Sequence, residues 1–177
     1  SCMKKKIAGI MLLAALFSAT SVQAADNLQF RGNLIIPNCT VNDNNIVQID
    51  WGDVEIQTFT GAHRAYHIKQ VPIKLECPYY YNTPKLTLTG AKGGDYKNYL
   101  QTSKYDEGLI ISVRQGAWSN NNIVALGEKI NIVEDAITGT GKDKSLNLGF
   151  ALARTKNIED LKPGPFTASA NLEVRYE

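Results

Sequence analysis

The sequence has few of the residues that enzymes rely on. Its 177 residues include only two histidines and three cysteines. The histidines lie in "GAHRAYH", where His63 and His67 have an i, i+4 spacing that would set two metal ligands on one face of a helix. The glutamate that accompanies such a pair in zinc proteases is missing, and the segment has no helical pattern. It reads as a polar loop, and no metal site is expected. No G-x-S-x-G nucleophile elbow occurs. "GTGKDK" (Gly139 to Lys144) lacks the hydroxyl residue after Lys142 and the earlier glycine of a phosphate loop. "GAKGGD" (Gly90 to Asp95) lacks G-x-G-x-x-G spacing and reads as a turn. The acidic pairs Asp106-Glu107 and Glu134-Asp135 fall in turn-like contexts, as solvated surface. No catalytic residue and no cofactor are expected, and the chain does not read as an enzyme.

Long apolar runs are equally scarce. The one such run is "IAGIMLLAALFSA", Ile7 to Ala19, preceded by Lys4-Lys5-Lys6 and followed by "SVQA" with the small residues Val22 and Ala24. This is the layout of a secretory signal peptide. The run is too short to span a bilayer, which takes roughly 20 residues. Ser1 and Cys2 precede the first methionine, Met3, and are set aside. Residues 1–24 are therefore expected to be start residues plus a cleaved leader, and residues 25–177 an exported chain not embedded in a membrane when mature.

Charge of one sign is lacking too. The formal net charge is +2, and the leader contributes three lysines and no acid, so its removal leaves −1. Nothing in that balance points to a nucleic-acid partner, and none is expected. Cys2 also departs, which leaves Cys39 and Cys77. An even pair in an exported chain is expected to form a disulfide. A closed loop of that length stabilises by roughly 3–4 kcal/mol in the chain-entropy picture.

What remains is strand-like. "VQIDWGDVEI" (Val47 to Ile56) alternates in part. "HIKQVPIKLEC" places Ile73, Leu75 and Cys77 on one face, and "PKLTLTG" alternates through Leu86 and Leu88. "GLIISVRQG" is β-branched between glycines. "SLNLGFALAR" sets Leu146, Leu148, Phe150 and Leu152 on one side. "PFTASANLEVRYE" sets Phe166, Ala168, Ala170, Leu172, Val174 and Tyr176 in strict period two, a strong strand signal. The stretches "GAKGGDYKN", "WSNNN" and "ITGTGKDKS" read as turns. No helical periodicity, linker or repeat appears beyond the leader. Short strands with polar turns in about 150 residues predict one antiparallel β-sandwich. The aromatic groups in "CPYYYN" and "GAWSNNN" read as cover for the disulfide and, for Trp118, as a core edge; stacking on sugars is the alternative.

Both ends of the expected mature chain alternate. "DNLQFRGNLIIPNC" (Asp26 to Cys39) has Leu28, Phe30, Leu34 and Ile36 in register, with Gly32 in the middle of the apolar face. A strand at a chain end needs a partner for its N–H and C=O groups, and an apolar edge invites pairing with another chain. Pairing within one sandwich satisfies the same need.

The alternating arm with Gly32, then "LIIPNCTV", "IDWGDVEI" and "LECPY", and the ending with Gly164 fourteenth from the end and Tyr176 penultimate, together resemble the chaperone–usher pilins of Gram-negative bacteria. Within that family the pattern is similar to the minor subunits of the P pilus tip fibrillum. The resemblance implies an all-β, immunoglobulin-like sandwich that lacks its final strand and is completed by a strand from another chain. It divides the mature chain into a donor-strand extension, 25–36, and an incomplete domain, 37–177. It casts Leu28, Phe30, Gly32 and Leu34 as the donor face, with Gly32 where backbones come close. It casts Gly164, Phe166, Ala168, Ala170, Leu172, Val174 and Tyr176 as the acceptor groove that also binds the chaperone, with the terminal carboxylate held by basic chaperone residues. The implied partners are a periplasmic pilus chaperone, an outer-membrane usher and neighbouring pilins. The implied route runs through the periplasm to a surface fimbrium, where the chain is a structural subunit polymerised by strand exchange. The rival readings are a freestanding carbohydrate-binding sandwich and a secreted hydrolase, the latter without a catalytic constellation.

Overall fold

The computed structural model describes residues 20–21 and 24–177, so nearly all of the expected leader lies outside the described residues. Residues 24–34 form an extended, exposed segment without regular secondary structure. The compact unit described below runs from Ile35 to Glu177.

The compact unit is built from nine strands: β1 (Thr40–Val41), β2 (Tyr66–Glu76), β3 (Pro84–Thr89), β4 (Tyr99–Gln101), β5 (Leu109–Gln115), β6 (Lys129–Asn131), β7 (Ile137–Thr140), β8 (Asp143–Arg154) and β9 (Asn171–Tyr176). One sheet runs β1-β2-β8-β5-β4, with β7 also paired to β8; the other runs β6-β3-β9. Every pairing is antiparallel. The two-sheet sandwich expected from the sequence is what forms.

Alternation places the core. Ile73 and Leu75 of β2, Leu86 and Leu88 of β3, and Val174 and Tyr176 of β9 are buried between the sheets, while their sequence neighbours face out. The central strand β8 is buried on both faces, so its run of small and large apolar residues carries less alternation than β2. Cys39 and Cys77 are bonded and tie the start of β1 to the end of β2. At 0–7% exposure both sulfur-bearing residues are core members, as the sequence led one to expect.

Three segments depart from the expected strands. Val47–Ile56 forms no ladder; its apolar residues turn inward, but its backbone has no neighbouring strand. The C-terminal run pairs only from Asn171 onward, where β3 lies alongside, so Pro165–Ala170 is extended without a ladder. Conversely, "ITGTGKDKS" is not merely a turn. Ile137–Thr140 pairs with the start of β8 around a two-residue turn at Gly141-Lys142. There Gly139 (φ +108°) lies so close to the opposite strand that a Cβ would sit 2.2 Å from the Asp143 carbonyl oxygen. Short β1, β4 and β6 had no pattern long enough to read.

The histidines are not both in a loop. His63 sits in a turn, whereas His67 occupies a bulge in β2, where the register shifts between Tyr66 and Lys69. Its Nε2 lies 2.7 Å from Thr58 Oγ1. Trp118 is half-buried with the Arg114 guanidinium 4.4 Å above its ring. Tyr79 packs against the core beside the disulfide region, while Tyr80 and Tyr81 are exposed.

Candidate functional site: an open apolar groove

The two segments without ladders face a common space. A groove of about 1650 Å³ runs between the stretch 44–57 on one side and 161–173 on the other. Its floor is core: Ile73, Leu88, Leu100, Leu109, Ile111, Leu148 and Phe150. All seven are 0–8% exposed, so the trench runs above a floor that is itself part of the core.

One wall is fixed from behind. Trp51 Nε1–H donates to the His67 carbonyl at the β2 bulge, 2.7 Å, and the Lys69 ammonium donates to the Asp50 carbonyl. The bulge thus turns an unpaired carbonyl toward Trp51, and the wall is held without being part of a sheet. Val47, Ile49, Trp51, Val54 and Ile56 pack against the core from this side. Among the described residues, no backbone-to-backbone hydrogen bond joins Ile46–Val54 to another segment.

The other wall is the run leading into β9. Phe166 and Leu172 are half-buried against the core, and Ala168 and Ala170 are exposed at the rim. Thr167 is tied sideways to Ser103, its carbonyl accepting from the Ser103 N–H at 2.8 Å and its N–H donating to Ser103 Oγ at 2.9 Å. At one position the walls approach across the opening, the Trp51 and Phe166 rings lying 6.3 Å apart and tilted by 41°. Near Gly164, Lys104 Nζ is 2.9 Å from Glu107 Oε2 and 2.8 Å from the Lys162 carbonyl oxygen. Hydrogen bonds from Lys104 and from the Lys162 N–H hold the Glu107 carboxyl below the usual carboxylate range.

Of the residues expected on the acceptor side, the groove brings together Gly164, Phe166, Ala168, Ala170 and Leu172. Val174 and Tyr176 do not line it. They are closed into the core, opposite Leu86 and Pro84 on β3. Burial raises the Tyr176 phenol pKa. The side chain of Glu177 is held within the chain, by Lys129 at 2.8 Å and by Arg175. These partners lower its carboxyl pKa. A Glu177 main-chain oxygen accepts from the Thr83 N–H at 3.1 Å.

On the extended segment, Leu28, Phe30 and Leu34 are 70%, 89% and 103% exposed. A Cβ placed on Gly32 would meet nothing within 4 Å, so nothing in this chain's own packing calls for glycine there. The sequence pattern shows the C-terminal wall but gives no sign that 44–57 is its counterpart. The alternation of "VQIDWGDVEI" marks an inward face without marking what it lies opposite.

These features agree with comparisons to known proteins. Residues 28–177 match the family model described as fimbrial protein. The fimbrial protein PrsE of Escherichia coli is 34% identical over 97% of this chain and 99% of its own length. The solved P pilus rod subunit PapA is 19% identical and superposes with a TM-score of 0.59 over 85% of this chain and 99% of that one. A solved chaperone–usher pilus gives 0.59 at 20% identity over 88% and 97%. The two structures share the fold, and the family match with the 34% relative fixes the lineage: this chain belongs to the fimbrial protein family.

Proposed function

We propose that the groove is an acceptor for a β-strand from another molecule, and that the chain polymerises into a surface pilus by exchanging one such strand for another. The carrying observation is the trench to the core with a ladder-free edge on each side. Along 46–54 and 165–170 some backbone groups are already bonded, such as those of Thr167 to Ser103 and the Asp50 carbonyl to Lys69. The remaining N–H and C=O groups need partners, and a single extended segment laid between the walls supplies both edges. In strand addition the main chain gives affinity and alternate side chains fill pockets.

The donor is the exposed arm 25–36 of a neighbouring subunit. Leu28, Phe30 and Leu34 enter the groove, and Gly32 passes where backbones are closest. The acceptor face comprises Gly164, Phe166, Ala168, Ala170 and Leu172, with Val174 and Tyr176 anchoring the strand they belong to. A periplasmic chaperone lends the first strand and an outer-membrane usher presides over its replacement, so the subunit travels through the periplasm to a place in an adhesive tip fibre. Family membership, the leader-like N-terminus and the empty strand position support this order of events. Three apolar side chains at about 1.5–3 kcal/mol each give roughly 5–9 kcal/mol per junction before ordering costs.

The test is co-expression with a candidate chaperone, with and without residues 25–36. The truncated subunit is expected to bind chaperone yet fail to cap another subunit. Polymerisation that survives the deletion overturns the donor assignment. Gly32→Leu is expected to slow exchange, and unchanged kinetics overturn the role given to that glycine.

A further inference from the structure

A second concavity lies on the other side of the same sheet. It encloses about 440 Å³ among His63, Tyr96, Tyr99, Arg114, Asp95 and Asn121, with Ser112 and Ala153 as its base. Ser112 and Ala153 alternate along β5 and β8 with Ile111, Val113 and Leu152 of the main core, so they face away from the groove. Nothing in the strand-exchange reading uses this place.

Its construction differs from ordinary sheet cover. Tyr99 is buried, and the Tyr96 ring lies against it with centroids 4.8 Å apart and planes tilted by 33°, while remaining 52% exposed. His63 completes a three-ring wall, 5.4 Å from Tyr96 and nearly parallel to Tyr99 at 6.2 Å. His63 and Asn121 both adopt left-handed backbone, at φ +56° and +54°, a conformation in which His and Asn are over-represented. Arg114 Nε is enclosed without a hydrogen-bond partner among the described residues. Its Nη1 donates to the Trp118 carbonyl oxygen at 3.0 Å, which fixes the guanidinium in place.

We infer that this concavity is a saccharide-binding site. The ring wall offers aromatic faces against which the C–H face of a pyranose packs. Around it stand an acceptor-only carboxylate at Asp95, donors at Arg114 and Lys97, and the two-way amide of Asn121. A ligand meeting that mixture needs neighbouring groups that each donate and accept, as sugar hydroxyls do. A purely anionic ligand would meet Asp95 with the wrong sign, and a purely apolar one would strand the polar groups. Small apolar pockets with few convergent polar groups are the usual form of such sites.

The experiment is saturation-transfer NMR on the full chain with methyl β-galactoside, methyl α-mannoside and N-acetylglucosamine. Transfer to the ring protons of at least one sugar is expected, with at least a tenfold loss of affinity in Tyr96→Ala and in Asp95→Asn. Tyr81→Ala, at an exposed tyrosine outside the concavity, is expected to leave binding unchanged. Absence of transfer from all three sugars overturns the proposal, as does transfer that persists in both site variants. Sugar-independent protection of Tyr96 on polymerisation, without transfer, assigns the patch to packing between subunits and also overturns it. Because the concavity and the groove lie on opposite faces, neither result bears on strand exchange.

Discussion

Phe30→Ala separates strand donation from ordinary surface chemistry. In the free chain this side chain is 89% exposed, so its loss should change the subunit's own stability by no more than about 0.5 kcal/mol. In a junction it would be buried against the next subunit's core. Removal then forfeits about 2–3 kcal/mol of transfer free energy, and the cavity left in the groove raises the cost toward about 3–5 kcal/mol. At the middle of that span, about 4 kcal/mol, affinity falls by roughly 700-fold. The assay is titration of labelled peptides spanning 25–36 into subunit that lacks those residues, followed by fluorescence polarisation. Gln29→Ala is the internal control: one residue away, on the opposite face of an extended segment, it should shift affinity by less than twofold. Equal losses from both substitutions, or none from Phe30→Ala, would refute the alternating-knob argument, because period two is the whole of its content.

Other outcomes follow from the compact unit. Replacing Cys39 and Cys77 together by alanine removes a link across 38 residues of sequence. It should lower unfolding free energy by about 3–4 kcal/mol, read as a lower urea midpoint with a slope that rises as the unlinked unfolded chain exposes more surface. Gly139→Ala forces a Cβ onto the Asp143 carbonyl at positive φ. A loss of about 2–3 kcal/mol is expected, visible in the same titration; a neutral result would mean the β7–β8 turn lies elsewhere. The Glu107 carboxyl is held low by Lys104 and by the Lys162 N–H. Its contribution is therefore complete above the usual carboxylate range and is lost as pH falls through the lower folded value. Glu107→Gln should flatten the acid side of a plot of melting temperature against pH below about 4.5, and leave the neutral side parallel to the parent.

Alternating strands with partners inside the chain were legible because period two directly reports a face buried against a core: β2, β3 and β8 lie where the pattern puts them, and β5, buried on both faces, was legible instead as a β-branched run between glycines. The groove was half legible. Leu172 and Val174 share one apolar stripe and both pair with β3, yet only Leu172 lines the opening; at Val174 the other edge of β9 is met by the Cys39 N–H, 2.8 Å, and β3 stops short of Ala170. Where a neighbouring strand ends is a tertiary fact that no spacing encodes. Trp51 illustrates the same limit. Its pattern marks it as inward-facing, but its hydrogen bond to the His67 carbonyl depends on a bulge sixteen residues away. The His63–Tyr96–Tyr99 wall joins two separate stretches, and neither carries a local signature.

Strand β8 has a bearing on timing. It is the shared middle of the larger sheet, and its residues pair across long intervals, Val71 with Leu148 and Val113 with Phe150. A polypeptide that emerges N-terminus first presents β2 and β5 well before residue 143 is available to unite them. Until then their apolar faces have no native seat, and pairings this remote are slow to form. Such a chain spends its earliest moments as an adhesive intermediate, and a companion that shelters those two strands during that interval would raise the yield of folded subunit even before any question of polymerisation arises.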